Sequence, residues 1–346
     1  MTTDDLSKRI GQMIMVGFRG LEVDNDSPII QDIRTGRVGG VILFDSDVAL
    51  DSPQRNIRSA EQLESLTSEL QAASDSILLI AVDQEGGRVT RLKEKYGFPP
   101  APSQAWLGRQ DDPELTTSSA SLTAAALTEV GINVNLAPVV DVNVNCDNPV
   151  IGKLERSFSS NPEVVARQAA EVITAHRKHD VLTALKHFPG HGSSTQDSHH
   201  GFTDVTNTWT EEELIPYARL IVCPEADMVM TAHVFNARLD PKWPASLSSR
   251  TLNGLLRHKL GFQGVIISDD MQMEAIRSYY SLETALERSI LAGTDIIVFG
   301  NTLIYEPDIA QKATRIIHSL IRQGRVSASR IQESYERIMR LKSRVE

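Results

Sequence analysis

The chain has 346 residues, 41% of them hydrophobic and 23% charged, which is too apolar for a disordered or fibrous polymer and long enough for one large α/β domain. A formal charge of −10 argues against nucleic acid or an anionic membrane surface as partner, because both are bound by clustered Lys and Arg. Cys146 and Cys223 stand far apart with no metal-ligand spacing, the N-terminus carries no basic-then-apolar leader, and no apolar run is long enough to span a bilayer; these features point to a soluble, cytoplasmic protein.

Eight short apolar runs follow one another along the chain, at residues 12–18, 39–44, 77–83, 133–142, 182–188, 228–234, 264–269 and 295–300. Most are rich in Val and Ile and nearly continuous in apolar character, as parallel strands buried on both faces must be. Between them, residues 60–74, 117–130, 162–179, 211–223, 249–260 and 282–292 carry apolar side chains at helical spacing, and two further helices are expected at 306–322 and 328–345. Alternating strands and helices predict a (β/α)8 TIM-type barrel forming a single domain over residues 1–346. A doubly wound open sheet is the alternative, but the glycine-rich phosphate turn that usually marks it is missing. Two excursions, 92–112 and 143–161, interrupt the alternation, and long loops in a compact domain are usually functional or flexible.

In a barrel the site lies at the C-terminal ends of the strands, and there the chain concentrates its polar groups. The third strand ends in Asp83-Gln84-Glu85-Gly86-Gly87-Arg88, and the fourth in Asp141 and Asn143, with Arg156 in its loop. The fifth ends in Lys186-His187-Phe188-Pro189-Gly190-His191-Gly192, followed by Asp197-Ser198-His199; the sixth ends in Thr231-Ala232-His233 and the seventh in Ser268-Asp269-Asp270. Charged groups at the same end of five strands imply a shared polar pocket. Plainer roles stand beside that one: Asp83, Glu85, Asp269 and Asp270 could cap turns or helices, and His199 and His200 could be solvated loop residues. His187 and His191 are four apart, but Pro189-Gly190 prevents the helical turn that would aim both at a metal, and no HExxH glutamate is present. Asp197 lies two residues before His199 and can orient an imidazole.

These words, with Ala137-Pro138-Val139-Val140-Asp141-Val142-Asn143, Asn148-Pro149-Val150-Ile151-Gly152, Arg156-Ser157-Phe158 and Gly261-Phe262, resemble glycoside hydrolase family 3, specifically its single-domain bacterial β-N-acetylglucosaminidases, in order over nearly the whole chain. The resemblance implies a retaining exo-glycosidase for peptidoglycan- or chitin-derived fragments, with Asp269 as nucleophile and an Asp197/His199 dyad as acid and base. It further implies that Asp83, Arg156, Lys186 and His187 grip the sugar, that His233 lines the same pocket, and that no metal or cofactor takes part. A small carbohydrate is then the substrate, and three tryptophans, Trp106, Trp209 and Trp243, suit a small pocket better than a long stacking cleft. The second α/β domain that supplies a catalytic glutamate in family 3 β-glucosidases has no counterpart here, which favours the dyad. Three departures stand out: Ser193 occupies the position where the family usually has aspartate, His200-Gly201-Phe202-Thr203-Asp204-Val205 replaces the leucine-proline that usually follows the dyad, and segment 152–156 is slightly longer than usual. Phosphorolysis in place of hydrolysis, a β-glycosidase of other sugar specificity, and a non-catalytic sugar-binding barrel are the competing readings.

Overall fold

Each barrel strand is a segment of four or so apolar residues bounded by polar loops, short because it crosses the barrel once and apolar because both faces are covered. The computed structural model describes residues 3–198, 201–222 and 226–345. Its strands are β1 (Ile14–Gly17), β2 (Gly40–Leu43), β3 (Leu79–Val82), β4 (Val134–Asn135), β5 (Leu182–Phe188), β6 (Met228–Thr231), β7 (Val265–Asp270) and β8 (Ile296–Phe299). Neighbours pair in parallel in chain order, and β1 pairs with both β2 and β8, so the sheet closes as the expected (β/α)8 barrel.

The helices begin where the sequence satisfies their orphan amides. Ser59 accepts from Gln62 N ahead of Ala60–Ala72; Asp112 accepts from the Glu114 and Leu115 amides ahead of Pro113–Glu129; Asn161 accepts from Glu163 N ahead of Pro162–Arg177. In the last two, proline at the first helical position and glutamate in the first turn suit a helix N-terminus.

Several elements differ from the sequence expectation. Strand 133–142 contracts to Val134–Asn135, because Pro138 has no amide to donate; only one further bridge, Val139 to Lys186, extends it. Helix 211–223 divides into a tight turn, Glu211–Leu214, and a helix, Ile215–Ile221, around Pro216; Cys223 lies outside the described residues. Helices Thr3–Gln12 and Pro28–Arg34 were not anticipated, nor was Gln104–Gln110 inside the 92–112 excursion. The two later ones are seven residues each, too short for a helical period to stand out.

The terminal helices close the base of the barrel. Arg9 bonds Gln332 across them, and the buried Lys342 ammonium donates to Gln12 Oε1 at 2.5 Å and Gly39 O at 2.9 Å. At the other end the excursions lock together. Gln104 exchanges two hydrogen bonds with the Val139 backbone, and helix Gln104–Gln110 presses Gly108 against Phe158 so closely that an added Cβ would lie 1.7 Å from the Phe158 carbonyl oxygen. This contact fixes the segment that carries Arg156.

Alanine normally stabilises a helix interior relative to glycine by roughly 1 kcal/mol. At Gly108 the sign should reverse: Gly108→Ala should lose about 1–3 kcal/mol by overpacking, read as a Tm lowered by several degrees in calorimetry. An unchanged or raised Tm would refute the close approach.

Candidate active site

The C-terminal mouth of the barrel opens into a cavity of about 320 Å³ whose apolar lining includes Ile42, Leu136, Met230 and Val298 and whose polar lining includes Asp83, Glu85, Arg156, Lys186, His187 and Asp269. Strand side chains alternate, so Asp83 and Glu85, two apart, share the cavity face. Gln84 faces away, and its Oε1 accepts from the Arg91 and Leu92 amides at 2.8 and 3.0 Å, folding the following loop back over the strand end. Gly86 and Gly87 make that fold with φ of +95° and +60°, where a side chain would be strained; a Cβ on Gly86 would also strike the Pro102 carbonyl.

Consecutive residues of a regular strand cannot both face one cavity, yet Lys186 and His187 do. The pairing of β5 with β6 shifts register between Leu185 and Phe188, and this irregularity re-aims one of the two side chains. Lys186 Nζ then lies 2.8 Å from Asp83 Oδ1 and 2.6 Å from Glu85 Oε1. Arg156 grips the same Glu85 with two hydrogen bonds of 2.7 Å, through Nε and Nη2, the planar fork geometry that guanidinium and carboxylate share. Arg91 adds a third cation 3.6 Å from Asp83 Oδ2.

Charge balance decides the protonation of this network. Burial alone would raise both carboxyls, but Lys186 and Arg91 hold Asp83 below its ordinary value, and Arg156 and Lys186 hold Glu85 down at about 2. Burial would lower Lys186, yet Asp83 and Glu85 raise it above the usual lysine value. All are therefore charged at neutral pH. Among the described residues no three His, Cys, Asp or Glu side chains converge as a metal site; lysine and arginine neutralise the carboxylates instead.

A second chain of bonds runs behind it. Arg156 has no lone pair to offer, so its Nη2 donates to His187 Nε2 at 3.2 Å, and His187 Nδ1–H donates to Asp141 Oδ2 at 2.7 Å, which selects one imidazole tautomer. Asp141 is fully buried; burial would raise its pKa, but His187 and His191 outweigh that and keep it below the usual range. The other Asp141 oxygen accepts from the His187 and His191 amides. His191 is buried with Ser194 and Ser198 on its two ring nitrogens, and burial pushes it down to about 4. It is a neutral loop anchor. Asn148 clamps the same segment by donating to the His191 and Gly192 carbonyls.

Asp269 and Asp270 end β7 with different partners. Asp269 lines the cavity and accepts from the Asp270 amide at 2.8 Å, whereas Asp270 Oδ1 accepts from Gln272 N and Gly300 N and ties β7 to β8. Asp197 also lines the cavity; His199 and His200 lie outside the described residues. His233 is placed otherwise than expected. It is not among the described residues that line the cavity; its buried ring bonds Ser246 Oγ and the Asp270 carbonyl, and so it braces the β7 end.

Seven of the eight residues singled out as site candidates are described, and six of them line one cavity: Asp83, Arg156, Lys186, His187, Asp197 and Asp269. Three members of the site were not singled out. Glu85 and Asp141 were visible at strand ends without a partner to distinguish function from capping. Arg91 gave no signal, since the exposed Arg88 sits closer to the strand in sequence.

Glu85→Gln should cost about 3–5 kcal/mol at pH 7, because it strands buried cations. The sign of its pH dependence follows from the lowered pKa: the carboxylate contributes stability above the ordinary value of 4.5 and loses it as pH falls toward 2. The Tm gap between wild type and variant, measured by calorimetry, should therefore narrow through that window. A gap independent of pH would contradict the assigned ionisation.

Comparison with known proteins supplies the family. Residues 5–341 match the family described as "Glycosyl hydrolase family 3 N terminal domain". A "Beta-hexosaminidase A" of Pseudoalteromonas piscicida is 31% identical over 377 residues, covering 98% of this chain and 61% of its own length. A "Beta-hexosaminidase" of Nitrosomonas eutropha is 36% identical over 288 residues, covering 80% of this chain and 76% of its own. Among solved structures, a glycoside hydrolase family 3 β-N-acetylglucosaminidase from Paenibacillus sp. superposes with a TM-score of 0.89 at 35% identity, over 100% of this chain and 63% of that one. The chain thus spans about six-tenths of two of these three relatives. With the barrel, the strand-end words in order and the match over 337 of 346 positions (5 through 341), the chain belongs to glycosyl hydrolase family 3.

Proposed function

We propose that the chain is a retaining, exo-acting β-N-acetylglucosaminidase that removes terminal β-linked N-acetylglucosamine from peptidoglycan- or chitin-derived fragments. The observation that carries this reading is the single small cavity in which Asp83, Lys186, Glu85, Arg156 and His187 form one charged, bonded wall with Asp269 and Asp197 also on the lining. At about 320 Å³ it is at the low end for ligand sites, a size that suits one sugar ring. Charged donors and acceptors on one wall suit hydroxyl recognition. The names of the relatives support the acetamido sugar. The 346 residues are read as one barrel unit, and the sparse, unspaced cysteines support a cytoplasmic setting.

In this mechanism an Asp269 carboxylate oxygen attacks the anomeric carbon as the bond to the leaving oxygen breaks. His199, oriented by Asp197, gives that oxygen a proton; an imidazole can do so because its ordinary pKa lies near neutrality. The neutral imidazole then takes a proton from water, which attacks the same carbon, releases Asp269 and restores configuration. Held ionised by Lys186 and Arg156, Asp83 and Glu85 are acceptors throughout the cycle.

Initial rates on p-nitrophenyl β-N-acetylglucosaminide and β-glucoside, each with and without phosphate, test the reading. Strong preference for the acetamido sugar, indifferent to phosphate, is expected; sugar 1-phosphate as product would establish phosphorolysis instead. Asp269→Asn should lower kcat by more than about a thousandfold, as loss of a nucleophile does. Wild-type activity in that variant would remove Asp269 from its assigned role.

A further inference from the structure

Glu213 is a buried carboxyl that the mechanism above does not use. It belongs to the run Glu211-Glu212-Glu213 in the turn Glu211–Leu214; the first two side chains are exposed and the third is 0% exposed. Burying a carboxyl is unfavourable without a specific partner. Here the partner is the loop that follows β5: Glu213 Oε2 accepts from the Gly192 amide at 3.0 Å. The fit is tight from both sides. A Cβ on Gly190 would lie 2.7 Å from Glu213 Cβ and Oε2, and a Cβ on Gly192 would lie 1.7 Å from the Val142 carbonyl oxygen. The loop is thus held between the backbone beyond β4 and the Glu213 side chain, with Trp209 Nε1 donating to Pro189 O at 3.0 Å as a further tie.

We propose that Glu213 is a positioning residue whose buried carboxyl sets the path of segment 190–198, and through it the placement of Asp197 and of His199 two residues on. The proposal rests on the dyad reading above only for its catalytic consequence; the structural consequence stands apart. The groups facing the carboxyl are Ser193 and Gly192 from the loop, Asp141 from the backbone beyond β4 and Tyr217 from the next helix. Burial chiefly, opposed by the Ser193 hydroxyl and assisted by the charge of Asp141, pushes Glu213 up to about 8, so the clamp is a neutral acid at pH 7. Burial pushes Tyr217 up as well. Glu213 and Tyr217 are then both uncharged beside the Asp141 carboxylate.

The test compares wild type with E213Q and E213D, both less disruptive than alanine. E213Q keeps an acceptor for Gly192 and imitates the neutral acid; E213D withdraws the acceptor by one methylene. Hydrogen exchange of the peptide spanning 190–200 should rise in E213D and stay near wild type in E213Q. On p-nitrophenyl β-N-acetylglucosaminide, E213D should lose about tenfold to a hundredfold in kcat with KM little changed, the cost of misplacing a catalytic group by about an ångström, and E213Q should restore kcat. Because the folded pKa is raised, the stability Glu213 contributes is full below about 4.5 and lost as pH rises to about 8; the Tm of E213Q relative to wild type should climb across that window. Unchanged exchange in E213D, or a rise spread evenly over the protein, would overturn the positioning role whatever the activity. Inactive wild type with the expected exchange pattern would overturn the glycosidase reading and leave the clamp standing. A KM effect without a kcat effect in E213D would place the clamp's influence on binding and refute its link to the dyad.

Discussion

The Glu85 carboxylate, its side chain 1% exposed, lies between the Lys186 ammonium and the Arg156 guanidinium, and the barrel mouth is organised around that arrangement. None of the three charges is tolerable there alone: desolvation costs several kcal/mol per ion, and only mutual attraction with well-directed hydrogen bonds offsets it. The network therefore forces three elements distant in sequence, the end of β3, the 143–161 loop that carries Arg156 and the end of β5, to arrive at one point with little positional freedom. That is preorganisation. A sugar entering the cavity meets donors and acceptors already oriented and already separated from water, so little further reorganisation is needed when charge develops during the reaction.

Backbone irregularity makes the convergence possible. The register shift in β5 places Lys186 and His187 on the same lining, and the irregular pairing of β7 with β8 accompanies the same arrangement for Asp269 and Asp270. Around these points the loops are fastened to one another: Gln104 to Val139, Asn148 to His191 and Gly192, Ser157 to the Asp141 carbonyl, Glu213 to Gly192. Long loops with such ties act as part of the scaffold, which is how a site carried mostly on loops can hold its geometry.

The fold was legible because parallel strands covered on both faces leave a plain signature. The runs at 39–44, 77–83 and 295–300 hold β2, β3 and β8 within a residue or two at each end. Short elements were not legible: seven residues of Pro28–Arg34 complete only two turns, and the pair Thr203–Asp204 with Val234–Phe235 is two residues on each side. The 133–142 run is longer than β4 because the regular ladder breaks at Pro138, although the backbone through Val140 remains bonded to β5. Strand-end position led to the cavity lining for Asp83, Lys186, His187 and Asp269, whereas His233 lies off that lining. A polar residue at a strand end can turn behind its neighbour, and only the Ser246 and Asp270 partners reveal that it has done so.

By itself the sequence determined the barrel, the face on which polar residues gather, and the family words that name most of the polar side chains of the cavity lining, because periodicity and strand-end composition are local properties of the chain. The tertiary structure decided which polar residues share a wall, that Glu85 is a doubly held anion and Glu213 a neutral clamp, that Asp270 ties β7 to β8 at the edge of the cavity, and that His233 braces the β7 end. Protonation and partnership depend on desolvation and on charges contributed by other elements, and neither is written in any single stretch of sequence.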